Sequence, residues 1–155
     1  MDERAKKVLE RLQAQCVRRE YCTFDIRKKA LERLEGDAAA ADEVVAALKA
    51  DRFVDDARYA AAFAREKASI TGWGPVKIRY ALAAKRIAAG DIAAGLSEIE
   101  PERSSSRLDR LLEQRWKVLK GDPQAKLKLL RFALTRGYEY DEIRDRVDRL
   151  ATNDD

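Results

Sequence analysis

The chain has 155 residues, 32 Lys and Arg against 28 Asp and Glu, and no histidine, so it is 39% charged with a net charge of only +4. At about 150 residues per domain, this length predicts one domain with enough chain to bury a core. Without histidine, His-dependent triads, Cys/His zinc sites and the facial iron triad are excluded, and most hydrolase and metalloenzyme classes go with them.

The composition predicts an all-α chain. There are 26 Ala and 16 Leu but only 7 Gly and 3 Pro, and charged residues alternate with alanines in the way helices tolerate best. An amphipathic stretch from about Asp2 to Glu20 carries Ala5, Val8, Leu9, Leu12 and Cys16 on one stripe and predicts the first long helix. Thr23 is positioned to cap a second helix that Gly36 ends, and Asp42 a third through Val44, Val45 and Leu48. The pattern then restarts. Asp55 or Asp56 caps a long helix to about Ile70, the run Gly72-Trp73-Gly74-Pro75 stops it, and Pro75 suits the first position of the next. Asp91 starts another short helix after Gly90, and Ser104 to Ser106 cap a third long helix that ends at Gly121-Asp122-Pro123. Two short helices follow, separated near Gly137 and restarted by Asp141.

Nine helices ordered long, short, short, three times over, predict tandem three-helix repeats stacked into an elongated, curved solenoid-like array. The expected repeats cover about 2–51, 55–99 and 104–151 of a single domain. An offset of 51 pairs Ile78 with Leu129, Ala81 with Phe132, Lys85 with Arg136, Ile87 with Tyr138, Ile92 with Ile143, Leu96 with Val147 and Ile99 with Leu150. The first unit fits an offset nearer 48, which pairs Leu34 with Leu82, Val44 with Ile92 and Leu48 with Leu96.

Charge follows the same rhythm. Residues 1–36, 37–64, 65–90, 91–114, 115–137 and 138–155 carry +3, −3, +5, −3, +6 and −4. Stacking would align these blocks into a basic ridge and a separate acidic one. Within the basic blocks, Lys77 with Lys85 and Lys128 with Arg136 form the same i, i+8 pair, about 80° apart around a helix, and Lys28 or Lys29 is the first-unit counterpart. Arg65, Lys67, Arg79, Arg86, Lys126 and Arg131 add charge nearby. These ten residues of the second and third repeats are the expected partner-binding set. Asp55-Asp56 reads as a helix cap in preference to a metal or acid-base pair. Trp73 reads as junction packing in preference to a base-stacking platform. Cys16 and Cys22, six residues apart, fit neither a zinc ribbon nor a redox pair and read as reduced core fillers. No signal segment or membrane span is expected, and a soluble cytoplasmic protein follows.

The run Arg52-Phe53-Val54-Asp55-Asp56-Ala57-Arg58-Tyr59-Ala60, then Gly72-Trp73-Gly74-Pro75-Val76-Lys77-Ile78-Arg79 and Leu82 to Ile87, closely resembles the RecX family of recombinase regulators. Phe132 to Tyr138, with Arg136-Gly137-Tyr138, resembles the same family's C-terminal motif. Two positions depart from the family pattern: Arg86 follows Lys85 where a glycine is usual, and Ala81 precedes Leu82 where an acidic residue is usual. The resemblance implies tandem three-helix repeats and a non-catalytic protein that binds the RecA filament in its groove. It implies inhibition of RecA ATPase, strand exchange and filament extension, and a place in recombination, DNA repair and SOS control. No catalytic residue, cofactor or metal is expected, and the protein is expected to be a monomer. The alternative function is direct binding of single- or double-stranded DNA through the basic ridge.

Overall fold

Asp2 opens the first helix by accepting the Ala5 backbone N–H at 2.7 Å, satisfying one of the donors that a helix N-terminus leaves unpaired. From there the computed structural model, which describes residues 1–153, is helical. The helices are α1 Glu3–Arg18, α2 Thr23–Arg33, α3 Ala38–Ala50, α4 Asp56–Glu66, α5 Pro75–Ala84, α6 Ala89–Ser97, α7 Pro101–Leu119, α8 Ala125–Thr135 and α9 Tyr140–Asn153. A π-helical turn, Lys67–Thr71, continues α4 as far as Gly72. Among the described residues there are nine α-helices and no strand, as the sequence predicts.

Five helix starts differ from expectation, the last of them α9, which begins at Tyr140 and takes Asp141 into its first turn. Thr23 is the first residue of α2 and does not cap it; its Oγ1 meets no hydrogen-bond partner among the described residues. A cap at Asp42 would start α3 at Glu43, but the helix begins at Ala38 because Asp37 accepts the Ala40 N–H at 3.1 Å. Asp42 then lies inside the helix and pairs with Arg27 at 2.9 Å. Helix α6 starts at Ala89, which places Gly90 and Asp91 in its first turn. Helix α7 starts at Pro101, since proline fits the first helical position as well as it ends the preceding segment, and Ser104 to Ser106 therefore lie within the helix.

The chain divides into two compact units, Met1–Ala62 with Leu82–Gly95, and Phe63–Ala81 with Leu96–Asp155. In the first, the stripe Ala5, Val8 and Leu12 of α1 packs with Ile26, Ala30 and Leu34 of the α2 segment and with Val44, Val45 and Leu48 of α3. Full burial of each large side chain is worth roughly 1.5–3 kcal/mol, an upper figure because unfolded chains already hide some apolar surface. Gly95 brings α6 close to α4, since a Cβ there would lie 3.0 Å from the Ala60 carbonyl carbon. In the second unit, Leu108 and Leu112 of α7 meet Leu129 and Ala133 of α8, Tyr138, and Ile143 and Val147 of α9.

Helix ends repeat one device. The Ile87 N–H reaches the Leu82 carbonyl and the Tyr138 N–H the Ala133 carbonyl, both at 3.3 Å, with a left-handed residue just before the donor. That residue is Gly137 at φ 94° in one case and Arg86 at φ 59° in the other. The two are equivalent under the offset of 51, so Arg86 stands in the second repeat where Gly137 stands in the third.

Candidate partner-binding site

The segments that carry the resemblance form two joints. In the first unit, Arg52 at φ 61° follows the end of α3, and the Asp55 carboxylate accepts the Arg58 N–H at 3.1 Å to cap α4. The adjacent Asp56 caps a different helix, accepting the Thr23 N–H at 2.7 Å. Arg58 completes the joint, donating to Glu20 at 2.8 Å and to the Arg52 carbonyl at 3.0 Å. Both aspartates are thus caps, divided between two helices.

In the second unit, Gly72-Trp73-Gly74-Pro75 meets Arg136-Gly137-Tyr138. The Gly74 N–H donates to the Arg136 carbonyl at 2.7 Å and the Val76 N–H to the Gly137 carbonyl at 3.0 Å. The Arg136 guanidinium donates to the Thr71 carbonyl at 2.9 Å, and the Tyr138 hydroxyl to the Gly72 carbonyl at 3.3 Å. Both glycines are required by close approach: a Cβ on Gly74 would lie 2.4 Å from the Gly137 oxygen, and one on Gly137 would lie 2.3 Å from the Lys77 Cβ.

The ten predicted partner residues divide by what already holds them. Arg65 pairs with Glu98 at 2.6 Å, Lys126 with Asp148 at 2.6 Å and Lys128 with Asp122 at 2.5 Å. Lys85 pairs with Asp25 in the first unit. Burial pulls the Lys85 pKa down, but the Asp25 hydrogen bond and the Tyr59 phenol outweigh it, so the net shift is upward. Lys77 and Lys67 sit over the Trp73 ring at 4.6 and 4.9 Å, and Phe63 meets that ring edge-on at 6.1 Å. Arg136 stacks on Phe132 at 5.1 Å while tied to Thr71. Arg79, Arg86 and Arg131 are exposed and make no ion pair among the described residues. The structure thus brings Lys67, Lys77 and Arg136 into the second joint. Lys85 and Arg136 lie beyond the ends of α5 and α8, so the expected 80° spacing within a helix does not apply to them.

Two further cations escape the charge-block reading. Arg107 and Arg110 lie in the net acidic segment 91–114, yet they line a groove of about 350 Å³ together with Arg136. Their spacing with Leu111 and Gln114, three and four residues apart on a helix, was the signal available. The thiols offer no comparable chemistry. Burial pushes the Cys22 thiol up to about 11 and raises that of Cys16, so both are neutral near pH 7. No helix is long and apolar enough to cross a membrane among the described residues.

Residues 55–96 match the family model described as RecX, second three-helix domain, and residues 102–145 match that of RecX, third three-helix domain. A regulatory protein RecX of Clostridium perfringens (strain 13 / Type A) is 31% identical over 111 residues, covering 69% of this chain and 51% of that protein. One of Bacillus mycoides (strain KBAB4) is 28% identical, covering 87% of this chain and 53% of that protein. The chain thus spans about half the length of these two relatives. One of Xanthomonas axonopodis pv. citri (strain 306) is 31% identical over 129 residues, covering 83% of this chain and 78% of that protein. The crystal structure of RecX from Lactobacillus salivarius shares the fold at a TM-score of 0.83 and 18% identity, with 98% of this chain and 99% of that one covered.

Proposed function

The chain belongs to the RecX family, and from that premise we propose that it is a non-catalytic regulator that binds the RecA filament and lowers its ATPase, strand-exchange and filament-extension activity. It acts in recombination, DNA repair and SOS control, as a cytoplasmic monomer. The observation that carries this reading is the exposure of Arg79, Arg86 and Arg131 without carboxylate partners among the described residues. Each of the three can meet an acidic protein surface without first breaking an internal ion pair. Arg65, Lys126 and Lys128 each have a carboxylate to exchange, although exposed pairs of that kind are worth only about 0–1 kcal/mol. Complementary charge of this type acts on encounter rate and orientation more than on total affinity.

The test replaces Arg79, Arg86 and Arg131 with Glu and measures RecA-driven ATP hydrolysis on single-stranded DNA. The variant is expected to lose inhibition while its far-ultraviolet circular dichroism is unchanged. Undiminished inhibition by the folded variant would refute the role given to these arginines.

A further inference from the structure

Arg107, Arg110, Leu111 and Gln114 lie on one side of α7, and together with residues 68–72 and Arg136 they line the groove of about 350 Å³ in the second unit. Three guanidiniums line it and no carboxylate does. Arg107 and Arg110 make no ion pair or side-chain hydrogen bond among the described residues. Arginines gathered with no carboxylate in the lining of their groove repel one another, and that repulsion calls for relief. An anion provides it. Arg136 is held in advance by its bond to Thr71, which leaves further N–H donors of its five-donor guanidinium for a ligand and limits the entropy lost on binding.

Residues 67–71 of the facing segment adopt a π-helical turn, a backbone form that occurs often at functional sites. Three forked guanidiniums and the Gln114 amide offer more donors than the two oxygens of a carboxylate accept, and they suit the larger oxygen set of a phosphate. The volume falls within the range of about 300–1,000 Å³ typical of ligand sites.

We propose that this groove is a phosphate site, occupied by a backbone phosphate of a nucleic-acid strand or by a free phosphate. It uses neither Arg79, Arg86 nor Arg131, and its test contains no recombinase, so its outcome is separate from that of the regulatory reading. The full chain and an Arg107→Gln/Arg110→Gln variant are titrated into a fluorescein-labelled oligothymidylate of about 20 nucleotides, a length beyond the site sizes of single-strand binding folds, at several salt concentrations. Inorganic phosphate is titrated separately and read by thermal shift. A Lys7→Gln/Arg11→Gln variant, with the same charge loss on α1, serves as the comparison.

If the occupant is a strand, the groove variant loses about tenfold or more in oligonucleotide affinity, its salt slope falls by about 1.4 for two lost phosphate contacts, and the comparison variant does not. If the occupant is free phosphate, the thermal shift with inorganic phosphate disappears in the groove variant while oligonucleotide binding is unaffected. Unchanged responses to both probes overturn the proposal. So does displacement of the bound probe by polyglutamate at equal charge, which would make the groove a general acidic-surface contact.

Discussion

One methyl group at Gly74 tests the second joint. In Gly74→Ala the new Cβ would lie 2.4 Å from the Gly137 oxygen and 2.7 Å from the Tyr138 nitrogen. Both are backbone atoms, so no side chain can swing aside, and the start of α5 must separate from the end of α8. That movement breaks the bonds from Gly74 and Val76 and strains those of Arg136 and Tyr138. At a net value of about 1 kcal/mol per hydrogen bond, two to four losses amount to about 2–4 kcal/mol. Gly90→Ala is the internal comparison, because nothing lies within 4 Å of its Cβ position and it sits in α6. Replacing that glycine should leave stability unchanged or raise it by up to about 1 kcal/mol. Urea unfolding followed by circular dichroism measures both. A Gly74→Ala stability within about 0.5 kcal/mol of the parent would mean that the joint gives way without losing these bonds, against the geometry described.

Arg86→Gly removes the cost of a left-handed non-glycine residue and should stabilise the fold by about 0.5–1 kcal/mol, seen as a higher urea midpoint. Asp56→Ala should cost about 0.5–2 kcal/mol by leaving the Thr23 N–H uncapped, and Asp56→Asn should recover much of it in the same assay. The Cys22 thiol has a folded pKa raised from 9.0 to about 11, so its contribution is complete below pH 9. As pH rises from about 9 towards 11 the unfolded state releases a proton that the folded state keeps, and stability falls. Thermal melts across that range should show a shallower decline for Cys22→Ala than for the parent.

Helix type and order were legible because apolar spacing reports directly on the buried face: Ala5, Val8 and Leu12 line the first core, as the stripe predicted. Starts were less legible where two signals compete. Asp37 and Asp42 are both good caps, and the four alanines between them give no period to choose by. Pro101 marks an end and a beginning equally well. The roles of Asp56, Gly74 and Arg136 depend on partners distant in sequence, at Thr23, Gly137 and Thr71, and no local pattern encodes such pairings. Block sums of charge hid Arg107 and Arg110, because the acidic neighbours that cancel them in sequence do not line their groove.

The regulatory role is tested most directly by following preformed RecA filaments on single-stranded DNA after the chain is added. Net filament disassembly or arrested extension is expected with the parent chain, and neither with the Arg79→Glu/Arg86→Glu/Arg131→Glu variant. Filaments that extend normally in the presence of the folded parent chain would show that it does not regulate the recombinase in this way.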